Sequence, residues 1–298
     1  MAKPDAISSV DIPLDWSDYA PEPFVETYGG LDSAAWEAKV IRSIDEPSQD
    51  GIAFPRFPPV AMQERIHGHS DATAVREAFA FHRLVSDFAA RLQSEIGRDT
   101  TILDFGSGWG RIVRPFMART ELNNIIGFEP NPLFVQVARA LNPYVSFVSG
   151  SFGPPTVFAD GRFDVIVAWS VFTHLPVPLG RRWLDELARI LRPGGLLFVT
   201  AWGERFIDQL VAQKKRLSAG LEVHWFQKQV IEAVGDLDDL RARHRAGEVV
   251  FVPSPQYPDY GDTFMSGRGA RTMAGPRLAL VAHDDHSLAQ DLLVYRRS

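Results

Sequence analysis

A stretch poor in large side chains, TILDFGSGWGRI at residues 101–112, holds the densest set of residues suited to ligand binding. A short apolar run there ends in the carboxylate of Asp104, and glycine then occupies alternate positions three times. Glycine permits backbone conformations and close approaches that other residues do not. We therefore expect a strand, a tight turn and a helix, with a ligand close to the backbone of the turn. The three glycines are Gly106, Gly108 and Gly110.

Two phosphate-binding turns do not match this stretch. A P-loop needs a glycine followed directly by a lysine, and no such pair occurs in the chain. A dinucleotide-binding turn needs G-x-G-x-x-G, but Arg111 stands where its third glycine would be. The carboxylate of Asp104 would also repel a pyrophosphate. The pattern therefore favours a different ligand.

Strand-like and helix-like patterns alternate from residue 101 to residue 202. Nearly continuous apolar strands of this kind predict a parallel sheet covered by helices on both faces, with ligands at the carboxyl ends of the strands. The predicted strands are residues 101–105, 125–130, 145–150, 163–170 and 195–202. The predicted helices between them are residues 111–120, 131–142 and 181–191.

The flanking segments lack this alternation. The predicted elements before it are an irregular arm (1–30) held by Trp16, Phe24 and Tyr28, a helix (32–44) capped by Asp32 or Ser33, a stiff linker (54–59), a helix (59–68) closed by Gly68, and a long helix from Ser70 to Gly97. The predicted elements after it are helices 204–219 and 225–245, a loop (252–264), and two strands of a closing hairpin (278–283 and 288–297).

The pattern D-x-G-x-G-x-G, followed by Glu129 at the end of the second strand, resembles the cofactor site of class I S-adenosylmethionine (SAM)-dependent methyltransferases. FDVIVAWSVFTHLP (163–176) is similar to the family's fourth-strand segment, and LDELARILRPGGLLFVTAW (184–202) is similar to its next helix, turn and fifth strand. In that turn, Gly194 and Gly195 are expected to cap the helix. The resemblance covers about residues 100–202 and implies a bacterial small-molecule methyltransferase of the type 11/12 kind.

The resemblance implies a doubly wound α/β fold with a mostly parallel seven-stranded sheet and an antiparallel C-terminal hairpin. We divide the chain into an N-terminal arm and helices (1–69), expected to cap the core or contact substrate or partner, a SAM-binding core (70–202), a helical and loop insert (203–276), expected to act as a substrate lid, and a closing β-hairpin (277–298).

The family's cofactor contacts carry over to the matching positions. SAM bears an ammonium and a sulfonium group, so a carboxylate at position 104 would be favourable. Glu129 would accept hydrogen bonds from both ribose hydroxyls. Many members have an acid after strand three for the adenine, but no carboxylate follows here until Asp160. The adenine would then be held by one of several alternatives: Ser151, the backbone, or stacking on Phe152 or Trp109. The implied cofactor residues are Asp104, Gly106, Ser107, Gly108, Gly110, Arg111, Glu129, Pro130, Ser151, Phe152, Trp169 and Ser170.

Methyl transfer to oxygen releases a proton, so a base would assist it. His174, just after strand four, is the first candidate, and His224 in the insert is the second. A long loop rich in aromatics is often functional, and Tyr257, Tyr260 and Asp262 are the predicted substrate contacts. We expect the acceptor to be a small-molecule hydroxyl, on a sugar, a glycoside or a secondary metabolite. The alternatives are an NAD(P)-dependent oxidoreductase and a non-catalytic SAM-binding relative.

Composition excludes several other classes. The net charge of −6 argues against nucleic-acid binding through phosphates. The chain has no cysteine, which excludes disulfides and thiolate sites and fits a cytoplasmic protein. No apolar run is long enough to span a membrane. HDDH (283–286) is predicted to be a hairpin turn and HGH (67–69) a helix end, so no metal is expected. A homo-oligomer is left open.

Overall fold

The computed structural model describes residues 19–255 and 257–298. Its helices are α1 (Pro21–Tyr28), α2 (Ser33–Arg42), α3 (Val60–His67), α4 (Asp71–Arg91), α5 (Pro132–Leu141), α6 (Val177–Ile190), α7 (Glu204–Ser218), α8 (Trp225–Val234), α9 (Leu237–Ala246) and α10 (Gly267–Met273). Its strands are β1 (Ser48–Gln49), β2 (Ile52–Ala53), β3 (Ile102–Phe105), β4 (Ile125–Glu129), β5 (Ser146–Ser149), β6 (Phe163–Ala168), β7 (Leu191–Ala201), β8 (Val250–Ser254), β9 (Tyr257–Phe264), β10 (Leu278–Asp284) and β11 (Asp291–Arg297). Trp16 lies outside the described residues.

Seven strands form one sheet in the order β10-β11-β7-β6-β3-β4-β5. Strand β3 pairs in parallel with both β4 and β6, and β4 pairs in parallel with β5. Strand β11 is antiparallel to both β7 and β10. All four residues of β3 are buried, as expected of a central strand covered on both faces. The predicted fold class, with its antiparallel closing hairpin, is confirmed.

The described chain divides into two compact units. The first unit runs to Phe152 and includes Phe163–Val167. The second unit comprises Gly153–Arg162 and Ala168–Ser298.

An aromatic cluster anchors the N-terminal helices of the first unit. Phe24, Trp36 and Phe54 are almost wholly buried, and the ring centroids of Phe24 and Trp36 lie 5.6 Å apart. The predicted anchoring by Phe24 and Tyr28 is thus confirmed, but the arm is not irregular at residues 21–28. There α1 forms, because Pro21 suits a first helical turn and the 24/28 spacing buries both rings on one face.

Two expected helix boundaries in the first unit were wrong. The segment 111–120 forms only a short 3₁₀ turn, Arg114–Phe116, because Pro115 has no N–H for an α-helical hydrogen bond. Helix α4 stops at Arg91 instead of continuing to Gly97. A Schellman motif ends it: Gln93 adopts a φ of 56°, and the Ser94 N–H donates to the carbonyl of Ala89.

Three expectations in the second unit also need correction. The predicted helix 225–245 is split into α8 and α9, since Gly235 (φ 71°) ends the first and the Asp236 carboxylate caps the second. The predicted loop 252–264 is largely the antiparallel hairpin β8–β9. Gly194 and Gly195 lie within β7 and do not cap α6, because Leu191 already has an extended backbone.

No helix in the ranges 19–255 and 257–298 is long and apolar enough to cross a membrane. Within the same described ranges, no group of three or more His, Cys, Asp or Glu side chains could hold a metal ion.

Candidate functional site

The glycine turn of the first unit has the backbone that only glycine adopts easily. Gly106, Gly108 and Gly110 have φ values of 78°, 54° and 86°. The N–H groups of Gly106 and Ser107 both donate to the carbonyl of Phe128 on β4, at 2.8 and 3.0 Å. The turn is therefore fixed against the neighbouring parallel strand.

Two of these glycines face different surroundings. A Cβ on Gly110 would lie 2.6 Å from Asn142 Nδ2 and 2.8 Å from Phe147 Cζ. A Cβ on Gly108 would meet nothing within 4 Å. Gly110 is thus required by packing, whereas Gly108 borders open space beside the backbone of the turn, where a ligand can approach.

Asp104 presents a buried carboxylate next to this turn. Its side chain is buried, and Oδ2 has no hydrogen-bond partner among the described residues. Burial raises the pKa of Asp104 to about 8, although the guanidinium of Arg111 opposes this. A buried carboxylate is costly unless it is paired. This unsatisfied oxygen fits a cationic group such as the ammonium of SAM.

Glu129 links the turn to the next helix. Its Oε2 accepts from the N–H of Gly108 at 3.0 Å, and its Oε1 accepts from the N–H of Asn131 at 2.9 Å. Burial raises the pKa of Glu129, and these two backbone donors oppose the shift. Each carboxylate oxygen has two lone pairs, so each keeps one to accept from a ribose hydroxyl. The predicted ribose role fits this geometry.

Trp109 does not offer a stacking face for adenine. It is wholly buried, its Nε1–H donates to His67 Nε2 at 2.5 Å, and the Arg114 guanidinium lies 4.7 Å from its ring. Of the alternatives for adenine, stacking on Trp109 therefore does not fit, because the ring is part of the core. The buried Trp109 side chain instead holds the glycine turn to α3 through His67.

The remaining predicted cofactor residues of the first unit have varied surroundings. Arg111 donates from Nη1 to the carbonyl of Ala74 and to Glu77 Oε2 at 2.7 Å, which ties the turn to α4. Phe152 is 58% exposed, Ser151 is exposed, and Pro130 is half-buried. Their cofactor contacts stay predictions.

Ser170 of the second unit has an unusual backbone conformation. Its φ is 56°, a left-handed value that is costly for a residue with a side chain and that clusters at functional sites. Its N–H donates to Thr200 Oγ1 at 2.7 Å, and its Oγ accepts from Gln290 Nε2 at 2.9 Å. Trp169, beside it, is half-buried. Nothing in the sequence pointed to Gln290, which reaches Ser170 across 120 residues of chain.

His174 is held in one orientation by the β8–β9 hairpin. Its Nδ1 lies 2.9 Å from the carbonyl oxygen of Gly261, and its ring stacks on Tyr260 with centroids 4.9 Å apart. A carbonyl can only accept, so the neutral ring carries its proton on Nδ1 and has a lone pair on Nε2. Burial lowers the pKa of His174, which favours this neutral form.

Asp262 lies on the same side of the hairpin as Tyr260. Its Oδ1 is 3.9 Å from His174 Nδ1 and has no hydrogen-bond partner among the described residues. Burial raises the pKa of Asp262 to about 7, and the indole of Trp202 opposes this. The hairpin therefore brings together three of the predicted residues: His174, Tyr260 and Asp262. Trp202 was missed, since it ends an ordinary apolar strand.

His224 and Tyr257 have simpler environments. His224 is exposed and caps α8 by accepting from the N–H of Phe226 at 3.4 Å. Tyr257, at the start of β9, is 42% exposed. Their catalytic and substrate-binding roles stay predictions.

Comparison with known proteins matches the segment that contains the glycine turn. Residues 102–195 match a family described as a methyltransferase domain. Residues 102–195 therefore form a class I SAM-dependent methyltransferase domain. The glycine turn and β4 lie inside the matched segment, and the predicted cofactor class, SAM, is confirmed. The family match also decides against a nicotinamide cofactor.

Two relatives share parts of the sequence. A 2-methyl-6-phytyl-1,4-hydroquinone methyltransferase from Synechocystis is 30% identical over 56% of this chain and 52% of its own length. A protein of Oryza sativa subsp. japonica, described as a probable chloroplastic tocopherol O-methyltransferase, is 25% identical over 48% of this chain and 38% of its own length. The chain therefore spans about half, or less, of these relatives.

Among solved structures, the magnesium protoporphyrin IX methyltransferase from Synechocystis, crystallised with bound S-adenosylhomocysteine, is 12% identical. The similarity covers 80% of this chain and 94% of that one, with a TM-score of 0.49.

Proposed function

We propose that this protein transfers the methyl group of SAM to a hydroxyl of a small molecule, a secondary metabolite or a sugar derivative. The observation that carries the proposal is the buried, unsatisfied carboxylate of Asp104 beside the open backbone at Gly108. An unpaired buried carboxylate suits a cation, and an open glycine suits close approach of a ligand.

The first unit supplies the groups for the cofactor. Asp104 would hold the ammonium group, Glu129 the ribose hydroxyls, and the Gly106–Gly108 backbone the atoms between them. SAM, when bound, supplies an electrophilic methyl carbon and a sulfonium leaving group. The protein's own contribution to such a displacement is alignment and exclusion of water.

The second unit supplies the groups for the acceptor. The lone pair on His174 Nε2 is available to receive the hydroxyl proton, because Gly261 fixes the other nitrogen as the donor. Trp202 stacks on Phe206 with centroids 3.9 Å apart, and Phe226 lies 6.1 Å from Trp202. Phe206 belongs to the core of the second unit, whereas Trp202 and Phe226 are only half-buried, and rings of this kind pack well against a planar acceptor.

An aromatic acceptor is therefore favoured over a sugar. One relative acts on a substituted hydroquinone and the other carries the name of a tocopherol O-methyltransferase. Both are phenolic compounds, in agreement with the aromatic surface of the second unit. A sugar, a glycoside or another secondary metabolite is the competing outcome of the test below.

Isothermal titration with SAM, S-adenosylhomocysteine and NADH tests the cofactor. We expect binding of the first two and none of NADH. Asp104→Asn keeps the shape of the side chain but not its charge and should weaken SAM, whereas Asp99→Asn, at an exposed position, is the matched control. Binding of NADH alone, or equal SAM affinity in both variants, would contradict the assignment.

A transfer assay with methyl-labelled SAM tests the acceptor. The panel contains hydroquinones, monophenols and glycosides, and we expect label in the phenolic compounds. Label only in glycosides would reassign the acceptor, and SAM binding without transfer to any member would indicate a non-catalytic relative.

A further inference from the structure

The first unit contains a cavity that none of the roles described above uses. Its volume is about 280 Å³, and every residue that lines it lies between Leu31 and Arg119. The lining comes from the chain at α2, the second half of α4, and residues 115–119. Glu95 and Ile96, which precede β3, also line it, whereas the glycine turn follows that strand. The cavity shares no residue with the proposed cofactor site.

His82 lies in the wall of this cavity with both ring nitrogens unsatisfied. It is 6% exposed, and neither Nδ1 nor Nε2 has a hydrogen-bond partner among the described residues. Its ring packs edge-to-face against Phe116, with centroids 4.7 Å apart. Burial, together with the charges of Arg83 and Arg119, lowers the pKa of His82 to about 4. The ring is therefore neutral at pH 7, with one N–H donor and one lone pair.

Ser33 adds a second unsatisfied group to the same cavity. It is the first residue of α2, and its buried Oγ has no hydrogen-bond partner within residues 19–255 and 257–298. Native proteins satisfy nearly all buried polar groups, so each exception calls for an explanation. The imidazole lone pair and the serine oxygen each need a donor, and the imidazole N–H and the serine O–H each need an acceptor. Together, His82 and Ser33 lack two donors and two acceptors.

The charged side chains of the lining balance one another. They are two guanidinium groups and two carboxylates, all exposed: Arg83, Arg119, Asp87 and Glu95. Arg83 also donates from Nη1 to Glu37 Oε2 at 2.5 Å, which neutralises its charge locally. The lining therefore has no excess of either sign, and it favours an uncharged ligand.

The rest of the lining is mainly apolar and sets the size of the ligand. It consists of Leu31, Trp36, Ala90, Ile96, Pro115 and Ala118, with the hydroxyl of Ser86 beside them. A void of about 150 Å³ accommodates a benzene ring. A cavity of about 280 Å³ is therefore large enough for one ring with a polar substituent.

We propose that this cavity binds a small, uncharged ring compound that carries a carboxamide. A carboxamide has two N–H donors and two carbonyl lone pairs, which is the set that His82 and Ser33 lack. A hydroxyl has only one donor, so one of the two buried acceptors would stay unsatisfied. A carboxylate has no donor, and it would require protonation of His82, which burial and two neighbouring guanidinium groups oppose.

Three probes of nearly the same shape test this assignment. Benzamide has the carboxamide, acetophenone keeps the carbonyl but has no N–H, and benzoate is an anion. NMR of the full chain, with ¹⁵N in the histidine rings, should show benzamide shifting both ring nitrogens of His82. Acetophenone and benzoate should bind about tenfold more weakly, because each loses the hydrogen bonds that the N–H groups donate.

Two variants locate the probe. His82→Phe keeps a ring of similar size but removes both nitrogens, and should weaken benzamide about tenfold. His69→Phe, at an exposed position of the same unit, is the matched control and should change nothing. Ser33→Ala should weaken benzamide about 3- to 10-fold, and it decides the question if His82→Phe does not fold. Saturating S-adenosylhomocysteine should not displace benzamide.

Four results would overturn the proposal. No shift at His82 with any probe would show that water alone completes its hydrogen bonds. Tightest binding of benzoate would make the cavity an anion site, and equal binding of acetophenone and benzamide would show that the N–H donors are not used. Benzamide that is displaced by S-adenosylhomocysteine, or that binds both variants with native affinity, would lie elsewhere.

Discussion

Gly108 and Gly110 lie two residues apart in one turn, yet substitution by alanine should affect them differently. Both have positive φ, so alanine at either position costs about 1–2 kcal/mol of backbone strain. At Gly110 the new Cβ would also lie 2.6 Å from Asn142 Nδ2 and 2.8 Å from Phe147 Cζ. Overpacking of this kind adds about 1–3 kcal/mol.

The two costs at Gly110 are independent, so Gly110→Ala should lower the free energy of unfolding by about 2–5 kcal/mol. Asn142 cannot move freely to relieve it, because its Nδ2 donates to the carbonyls of Trp109 and Ala138 and its Oδ1 accepts from Arg114 Nε. Gly108→Ala should lower the free energy of unfolding only by the cost of the backbone strain. Its methyl group fills the open space beside the turn, so SAM affinity should fall while the fold persists.

Urea denaturation followed by tryptophan fluorescence, together with calorimetric titration of SAM, measures both quantities on each variant. Gly30→Ala, also at positive φ with nothing within 4 Å of its Cβ, is the control for strain alone. Equal destabilisation at Gly108 and Gly110 would show that Asn142 and Phe147 do not confine the turn. A Gly108→Ala variant with native SAM affinity would show that the open space is not the cofactor's.

Three further outcomes are expected. Glu129→Ala should weaken SAM by about 1.5–3 kcal/mol, the usual range for hydrogen bonds to a charged group; calorimetry that finds a change of a few tenths would remove Glu129 from the ribose site. Burial, together with the positive charge of Arg111, lowers the pKa of His67 well below 6.5, and the neutral ring accepts a hydrogen bond from Trp109. Protonation of His67 therefore favours the unfolded chain, so the stability that this site contributes is complete above pH 6.5 and is lost as the pH falls below that value. The urea midpoints at pH 7 and pH 5 should differ more in the wild type than in His67→Phe. Equal differences in the two proteins would refute this role of His67. His174→Gln should leave SAM affinity within about twofold, since the residues that His174 contacts, Gly261, Tyr260 and Asp262, all belong to the second unit. A tenfold loss in calorimetry would contradict the separation of roles.

Local chemistry was sufficient to predict many individual elements. Asp32 accepts from the N–H groups of Ala34 and Ala35, and Gly68 ends α3 with a left-handed backbone. Each of these depends on residues within one turn of chain, so the sequence carries the full information. The alternation of apolar strands and helices likewise predicts the parallel sheet, because a strand that is apolar on both faces must be covered on both faces.

Elements decided by distant packing were predicted less well. Gln93 adopts a left-handed conformation that is unfavourable for a residue with a side chain. A search for a glycine at the end of the helix therefore misses the true end of α4. Residues 252–264 looked like a loop because of their prolines and tyrosines, but β8 and β9 pair with each other and the Thr263 N–H donates to the Thr173 carbonyl at 2.7 Å. No local preference encodes that long-range bond.

The sequence by itself determined the cofactor half of this protein, because the glycine turn, Asp104 and Glu129 act through backbone conformation and charge type, which are properties of the residues and their spacing. Only the tertiary structure decided how the residues proposed for the acceptor are arranged. It buried Trp109 in the core, and it brought Trp202, His174 and Asp262 together from segments as much as 88 residues apart. An unsatisfied N–H or carboxylate exists only once the chain has folded around it and removed the water that would otherwise satisfy it.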